Sequence, residues 1–183
     1  MEQTRAGVPG QPPIQRTEMW IIWDSYVHHG EKRARETCGP HLGLEARVSW
    51  FGWGGLRWKT LIPFFLQYLR GRTAPDVLLI HCGGSALGRL EGVEVVAAMK
   101  QDLQYLNRQF PAMQIVYSNI NERRRWRADH LGKLNPTRKW VNSVMNKFVS
   151  VQLGRNSVEH PGIRFNCCGL YLKDTVHFTY RGN

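Results

Sequence analysis

The sequence predicts an α/β fold in which a mostly parallel, five-stranded sheet lies between two layers of helices. Short apolar runs alternate with longer amphipathic segments along most of the chain, and this alternation is typical of an open parallel sheet. The runs are rich in β-branched and aromatic residues and are bounded by Gly, Pro or polar residues, as buried parallel strands are. They cover residues 19–23, 46–51, 77–82, 114–120 and, more weakly, 162–167.

Three helices are predicted between these strands, over residues 56–70, 92–109 and 136–153. Pro63 lies within the first of them and predicts a kink or a late start. A shorter, frayed helix is expected around residues 27–42, which are polar and interrupted by Gly and Pro. A stripe of apolar residues at helical spacing in the third helix is interpreted as core packing; it consists of Trp140, Val144, Met145 and Phe148.

Composition bounds the organisation of the chain and the kind of partner that it attracts. At 183 residues, 42% of them hydrophobic, the chain is long enough for one domain with a core and too short for two. Residues 1–18 are rich in Pro, Gly and Gln, so we expect a flexible leader before a domain over 19–183. A net charge of +11 favours polyanions such as nucleic acid, anionic lipid or an acidic substrate, and a basic domain without a specific polyanion partner is the alternative.

The N-terminal residues contain no apolar segment typical of a secretory signal, and the longest apolar stretch, residues 61–69, is far shorter than a membrane span. The four cysteines form no CxxC pair and indicate no disulfide framework. We therefore expect an intracellular protein in a reduced compartment.

The two ends of the predicted domain carry the residue types of a nucleophilic serine site. Ligands of open parallel sheets bind beyond the carboxyl ends of the strands, and Ser25 stands where the first strand ends, in WIIWDSYV. In KDTVHFTYRGN, Asp174 and His177 are spaced so that the carboxylate can orient the imidazole, which leaves Nε2 free to take a proton from a serine. Taken singly, a serine after Asp at the end of a strand is more often a helix cap. An Asp and a His three residues apart are likewise more often a loop cap and a surface histidine.

Two glycine-rich turns follow the second and third predicted strands, in FGWGGLRW and HCGGSALG. Glycines allow backbone amides to approach a substrate oxygen, as an oxyanion hole requires. Structural turns alone would explain either one, and neither has the pattern of a phosphate-binding loop.

Together the four pieces resemble the SGNH/GDSL hydrolase family from about residue 19 to the last residue. WIIWDSYV is similar to the Gly-Asp-Ser block and DTVHFTYRGN to the last block, which implies Ser25 as nucleophile, His177 as base and Asp174 as its orienting acid. FGWGGL and PDVLLIHCGGSALG are similar to the second and third blocks, which implies an oxyanion hole of Ser25, Gly55 and Ser85. The implied fold is a flavodoxin-like, three-layer α/β/α sandwich, and the implied chemistry uses no cofactor. More narrowly, VLLIH-GG, IVYSNINERRRWR and VHF-x3-GN resemble SGNH-like domains of vertebrate mobile-element-derived proteins.

Three features depart from the family pattern. Trp23 replaces the glycine before Asp-Ser, where an indole could crowd the acyl group or displace the strand end. Ser85 and Ala86 replace the Asn-Asp of the third block, and loss of one oxyanion donor costs about 100- to 1000-fold in rate. The sequence ends at Asn183, where relatives continue into a closing helix, so we expect this helix to be missing and the loop of His177 to be poorly braced.

A basic segment follows the fourth predicted strand, so we expect it on the same rim as the active site. Guanidinium groups beside an aromatic ring can pair with phosphates and stack on bases, although a solvated basic loop is equally compatible. The segment contains Arg123, Arg124, Arg125, Trp126 and Arg127, and the edge also includes Arg57, Trp58 and Lys59. The histidines have no ligand spacing, so we expect no metal site.

Two functions follow from these patterns. The first is an SGNH-type serine hydrolase that cleaves carboxylic or acetyl esters of a small substrate, with an oxyanion hole impaired at Ser85. The second is a catalytically degenerate SGNH-like module that binds nucleic acid through the Arg/Trp rim.

Overall fold

Five strands form one parallel sheet in the computed structural model, which describes residues 16–24, 28–52, 54–124, 126, 132–167, 169–173 and 177–179. The strands are β1 (Thr17–Trp23), β2 (Ala46–Gly52), β3 (Val77–His81), β4 (Gln114–Ser118) and β5 (Asn156–Val158). Their spatial order is β2-β1-β3-β4-β5, and each neighbouring pair is parallel. These findings confirm the predicted α/β fold. β1 begins two residues before the predicted strand, within the expected leader, of which residues 1–15 lie outside the described part.

Four α-helices connect the strands: α1 (His28–Cys38), α2 (Leu61–Leu69), α3 (Gly92–Gln109) and α4 (Leu134–Lys147). A 3-10 turn, Trp58–Thr60, precedes α2, and a π-helical segment, Phe148–Gln152, follows α4. Pro63 is the third residue of α2, where a backbone N–H would have no partner within the helix. The helix begins at Leu61 instead of residue 56, which confirms the predicted late start. α3 has the predicted bounds and begins with a capping box, in which the backbone N–H of Glu91 donates to Glu94 at 2.9 Å. No helix in the described part of the chain is long and apolar enough to cross a membrane.

The fifth strand does not lie where the sequence analysis placed it. Residues 162–167 form turns, and β5 is instead Asn156–Val158, which pairs with the end of β4. This strand is short, lies at the edge of the sheet and leaves two of its three residues exposed. An edge strand does not need the apolar run that marks strands buried on both faces, and the prediction was wrong for that reason.

The apolar stripe of α4 is correct except at its first residue. Met145 and Phe148 are buried in the core, together with Val141, whereas Trp140 is 44% exposed. The Trp140 ring instead covers the start of α3, where a Cβ on Gly92 would lie 3.3 Å from it. The interpretation of Trp140 as a core residue was therefore wrong, because this ring fills the groove between two helices.

The alternation of side chains along β1 divides the core into two clusters, one on each face of the sheet. Trp20 and Ile22 belong to the larger cluster, which includes residues of α2, α3 and α4. Ile21 and Trp23 belong to the smaller cluster, which Leu42 from the segment after α1 also joins. Segments on both faces thus cover β1.

Trp23, at a position where the sequence resemblance leads us to expect glycine, is buried and lies against β2. A Cβ on Gly52 would lie 2.6 Å from Cδ2 of the indole and 2.4 Å from the Trp23 carbonyl oxygen. The end of β1 is not displaced, because Trp23 stays in register with Gly52 and with His81 of β3. The indole is accommodated because residue 52 has no side chain.

Replacement of Gly52 by alanine is expected to lower the free energy of unfolding by about 1–3 kcal/mol, the usual cost of overpacking. The new methyl group would overlap both the indole and the carbonyl group of Trp23. Urea denaturation measures the effect. Gly162→Ala is the matched control, since a Cβ there has no atom within 4 Å and is expected to change stability by less than about 0.5 kcal/mol. Equal stability of the two variants would contradict the contact.

Candidate functional site

The carboxyl ends of the central strands meet at one edge of the sheet. The backbone N–H of Asp24, directly after β1, donates to the carbonyl oxygen of His81 at 3.1 Å. The chain leaves β1 toward β2 on one side and enters β3 on the other, so this edge is the switch point at which open α/β sheets bind ligands. Ser25 follows Asp24 in sequence but lies outside the described residues, as do Asp174, Arg125 and Arg127.

The turns after β2 and β3 meet at the carbonyl oxygen of Leu56. The Ser85 hydroxyl donates to this oxygen at 3.4 Å, and the Cys82 thiol does so at 3.7 Å. Gly55 precedes Leu56 in an exposed turn, with a φ of 88°. The structure therefore brings Gly55 and Ser85 together, but the single proton of Ser85 is directed at a protein carbonyl.

Arg123 reaches from the segment after β4 onto the turn after β3. A Cβ on Gly84 would lie 2.6 Å from Nη2, so glycine allows the guanidinium to approach the backbone. The same group lies 4.7 Å from the centroid of the Trp126 ring, within the range of a cation–π interaction. Trp126 is buried and donates to Asn135 at 3.1 Å. Of the expected rim, Arg123 thus lies at the site, Arg124 is exposed and Trp126 is part of the core.

A buried chain of hydrogen bonds at this edge was missed by the sequence analysis. Asn121 Nδ2 donates to His81 Nε2 at 3.3 Å. Because Nε2 accepts this bond, the ring proton of neutral His81 is on Nδ1, which donates it to Ser118 Oγ at 2.8 Å. The Ser118 hydroxyl in turn donates to His160 Nε2, also at 2.8 Å. Ser118 is 37 and 42 residues from its two histidines, and no local pattern connects residues so far apart.

Burial keeps the two histidines of this hydrogen-bonded series, and the neighbouring Cys82, uncharged at neutral pH. Burial, followed by the charge of Arg123, lowers the pKa of His81 from 6.5 to about 4. Burial and then His81 lower the pKa of His160 to about 4 as well. Burial and the carboxylate of Asp24 raise the pKa of the Cys82 thiol well above its usual value. A raised pKa favours the protonated thiol, which is a poor nucleophile.

Tyr171 and Phe178 form an isolated antiparallel β-bridge within the segment that carries His177. The backbone N–H of Leu172 donates to the carbonyl oxygen of His177 at 2.8 Å, and that of Thr179 donates to Leu170 at 2.9 Å. The rings of Tyr171 and Phe178 pack against each other with their centroids 5.3 Å apart, and both are buried. These contacts hold residues 170–172 against residues 177–179.

Glu122 connects Tyr171 to the rest of the fold. The Tyr171 hydroxyl donates to the Glu122 carbonyl oxygen at 2.7 Å, and the Phe165 N–H donates to its carboxylate at 3.2 Å. Arg138 of α4 lies 3.6 Å from the same carboxylate. Burial and then Glu122 raise the pKa of Tyr171 to about 12, so its hydroxyl remains a donor. These contacts attach Tyr171 and Phe165 to the fold, whereas residues 174–176 of the His177 loop lie outside the described part of the chain.

Two cavities open near this edge. The larger has a volume of about 470 Å³ and is polar; Glu122, Arg138 and His160 are among the residues that line it. The smaller has a volume of about 250 Å³, lies beside Ser85 and is mainly apolar. Within the described ranges, no three His, Cys, Asp or Glu side chains are grouped so that they could hold a metal ion.

Solved structures similar to this chain come from SGNH/GDSL hydrolases. A member of the lipolytic G-D-S-L family from Veillonella parvula superimposes with a TM-score of 0.69 and 12% identity, and 91% of each chain is covered. A GDSL-like lipase from Bacteroides thetaiotaomicron gives a TM-score of 0.66 at 12% identity, covering 93% of this chain and 83% of that one. AlinE4, an SGNH-hydrolase family esterase, gives 0.62 at 18% identity, covering 92% and 89%.

No protein-family model and no curated protein sequence matches this chain. At such low identities the structural likeness shows the fold alone. The chain therefore has the three-layer α/β/α fold of the SGNH hydrolases.

Tyr171→Phe is expected to loosen the segment of residues 170–179. The change leaves the Glu122 carbonyl without its 2.7 Å donor, which typically costs about 1–3 kcal/mol. Hydrogen–deuterium exchange should show faster exchange of these amides. Tyr105→Phe serves as control, since no hydrogen bond of the Tyr105 hydroxyl is found among the described residues. Unchanged exchange in Tyr171→Phe would contradict the bracing role.

The stability of the fold is expected to fall as the pH drops from about 6.5 to about 4. In this window the unfolded histidines take up protons, whereas His81 and His160 do not, so the unfolded state is favoured. His81 alone contributes on the order of 3 kcal/mol. Urea denaturation at several pH values measures the slope, which should be smaller in His81→Gln. An identical slope in both proteins would rule out this linkage.

Proposed function

We propose that this chain is an SGNH-type serine hydrolase that cleaves carboxylic or acetyl esters of a small substrate. The observation that carries this proposal is that the two glycine-rich turns meet at Leu56, on the edge of the sheet where β1 ends. Tyr171, in the segment that carries His177, donates a hydrogen bond to Glu122, which follows β4. Esterases and lipases among the solved structures of this fold support the same reaction class.

In the proposed reaction, Ser25 Oγ attacks the ester carbonyl carbon while His177 takes the hydroxyl proton and Asp174 orients the imidazole. The tetrahedral intermediate collapses, and the alcohol leaves with the proton from His177. A water molecule then attacks the acyl-enzyme, with His177 again as the base. The acid is released and Ser25 regains its proton.

The oxyanion of this reaction would be bound by the backbone amides of Ser25 and Gly55 and by the hydroxyl of Ser85. That hydroxyl must turn away from the Leu56 carbonyl, 3.4 Å distant, before it can donate to a substrate. Each missing oxyanion donor costs about 2.7–4 kcal/mol of transition-state stabilisation. We therefore propose a slow hydrolase whose weak point is Ser85 rather than Trp23, since Trp23 is buried against Gly52.

The nucleic-acid alternative has less support at the rim. Trp126 is buried and its ring face is covered by Arg123, so it does not offer a surface on which a base can stack. The support for polyanion binding is the net charge of +11 together with the exposed Arg124. The relation to mobile-element-derived proteins likewise stays a proposal from sequence.

The purified protein is expected to hydrolyse 4-nitrophenyl acetate, and both Ser25→Ala and His177→Ala are expected to abolish the release of nitrophenol. Ser143→Ala, an exposed serine of α4, is the matched control and should keep the wild-type rate. Ser85→Asn should raise kcat about tenfold or more, because the amide supplies the missing donor. Equal rates for wild type and Ser25→Ala would overturn the proposed function.

A further inference from the structure

The smaller cavity, with a volume of about 250 Å³, lies at the start of α3 beside the turn after β3. Its walls are mainly apolar and include Trp58, Ala86, Leu90, Val95 and Ala98. Trp58 and Val95 are almost fully buried, so this part of the wall belongs to the core. A cavity of about 150 Å³ in another protein binds benzene. The space here is therefore sufficient for a ring or a short acyl chain.

Three cationic side chains line the same cavity, and no acidic residue does: Arg57, Lys59 and Arg89. All three are exposed, and within the described residues none of them forms an ion pair. The nearest acidic residues in sequence, Glu91 and Glu94, form the capping box of α3. An apolar cavity with only positive charges on its wall favours a ligand with an apolar body and a negative end.

Ser85 connects this cavity to the proposed reaction. Its side chain lines the cavity and also contacts Leu56, next to the Gly55 amide. An ester whose carbonyl oxygen is bound by Gly55 and Ser85 would have this cavity within reach of its acyl chain, because Ser85 lines it. Val95 and Ala98 would then contact the chain, and Arg57, Lys59 and Arg89 would be available to a charge that it carries.

We propose that this cavity is the acyl-binding site and that it selects esters whose short acyl chain ends in a carboxylate. The selectivity rests on the proposed hydrolase function, but binding of the carboxylate to the cavity does not require turnover. The carboxylate pairs with the guanidinium groups of Arg57 and Arg89 and with the ammonium group of Lys59, while the methylene groups contact the apolar wall.

The kinetic test compares two 4-nitrophenyl esters, the neutral butyrate and the half-ester of glutaric acid. We expect kcat/KM of the wild type to be about tenfold higher for the glutarate half-ester at low salt, because charge complementarity favours its binding. Arg57→Gln and Arg89→Gln should each lower the ratio of the two kcat/KM values by about tenfold. Arg108→Gln is the matched control: it removes the same charge at the other end of α3, roughly 20 Å from Val95, and should keep the ratio.

The binding test uses Ser25→Ala protein, in which no covalent step occurs, and measures calorimetric titrations with monomethyl glutarate and dimethyl glutarate. The monoester should bind more tightly than the diester, and an added Arg89→Gln change should remove that difference.

Different outcomes separate the two proposals. Hydrolysis of neither ester by the wild type, with preferential binding of the monoester, would refute the hydrolase and support the anion-binding cavity. Hydrolysis of both esters without a preference, or an equal loss of preference in Arg108→Gln, would overturn the cavity proposal and leave the hydrolase in place.

Discussion

The pairing of β1 between β2 and β3 is the constraint on which the rest of the structure depends. Seven residue pairs join β1 to β2 and five join it to β3, all in parallel register. This register places Gly52, Trp23 and His81 side by side at the carboxyl edge, so the turns that follow begin at one level. The hydrogen bond between Asp24 and His81, and the contacts between the turns after β2 and β3, start from that alignment.

Strands and helices with a regular apolar pattern could be predicted from the sequence, whereas contacts between residues far apart in the chain could not. Four strands and the bounds of α3 were predictable because buried strands and amphipathic helices leave local patterns. The edge strand β5 has no such pattern, since its residues are mostly exposed. The link from His81 through Ser118 to His160, and the bracing by Glu122, depend on side chains about 40 residues apart. Without the fold, neither could be recognised.

Two departures from the family pattern have different physical consequences. Trp23 is large, but a residue without a side chain faces it on the neighbouring strand, so the exchange is accommodated within the sheet. Ser85 is small and lacks the reach of an asparagine amide, and its hydroxyl donates to Leu56. A larger side chain in a core can be accommodated when one neighbour is smaller. An oxyanion donor acts only from one position relative to the transition state, so a change in a neighbouring residue does not replace it.

Among the described residues, some of the basic side chains of this protein are paired with other groups, whereas those around the small cavity are not. Arg35 and Arg138 pair with carboxylates, and Arg123 lies on the Trp126 ring. The cations around the small cavity have no such partner among the described residues, and they stand beside Ser85. Exposed charges act over about 8–10 Å at ordinary salt, so in the proposed hydrolase they would favour an anionic acyl end and would also act on negative charge that develops near Ser85. In the proposed hydrolase, these fixed charges would add to the stabilisation of the oxyanion through their field, but they would not replace the directed proton of a well-placed donor.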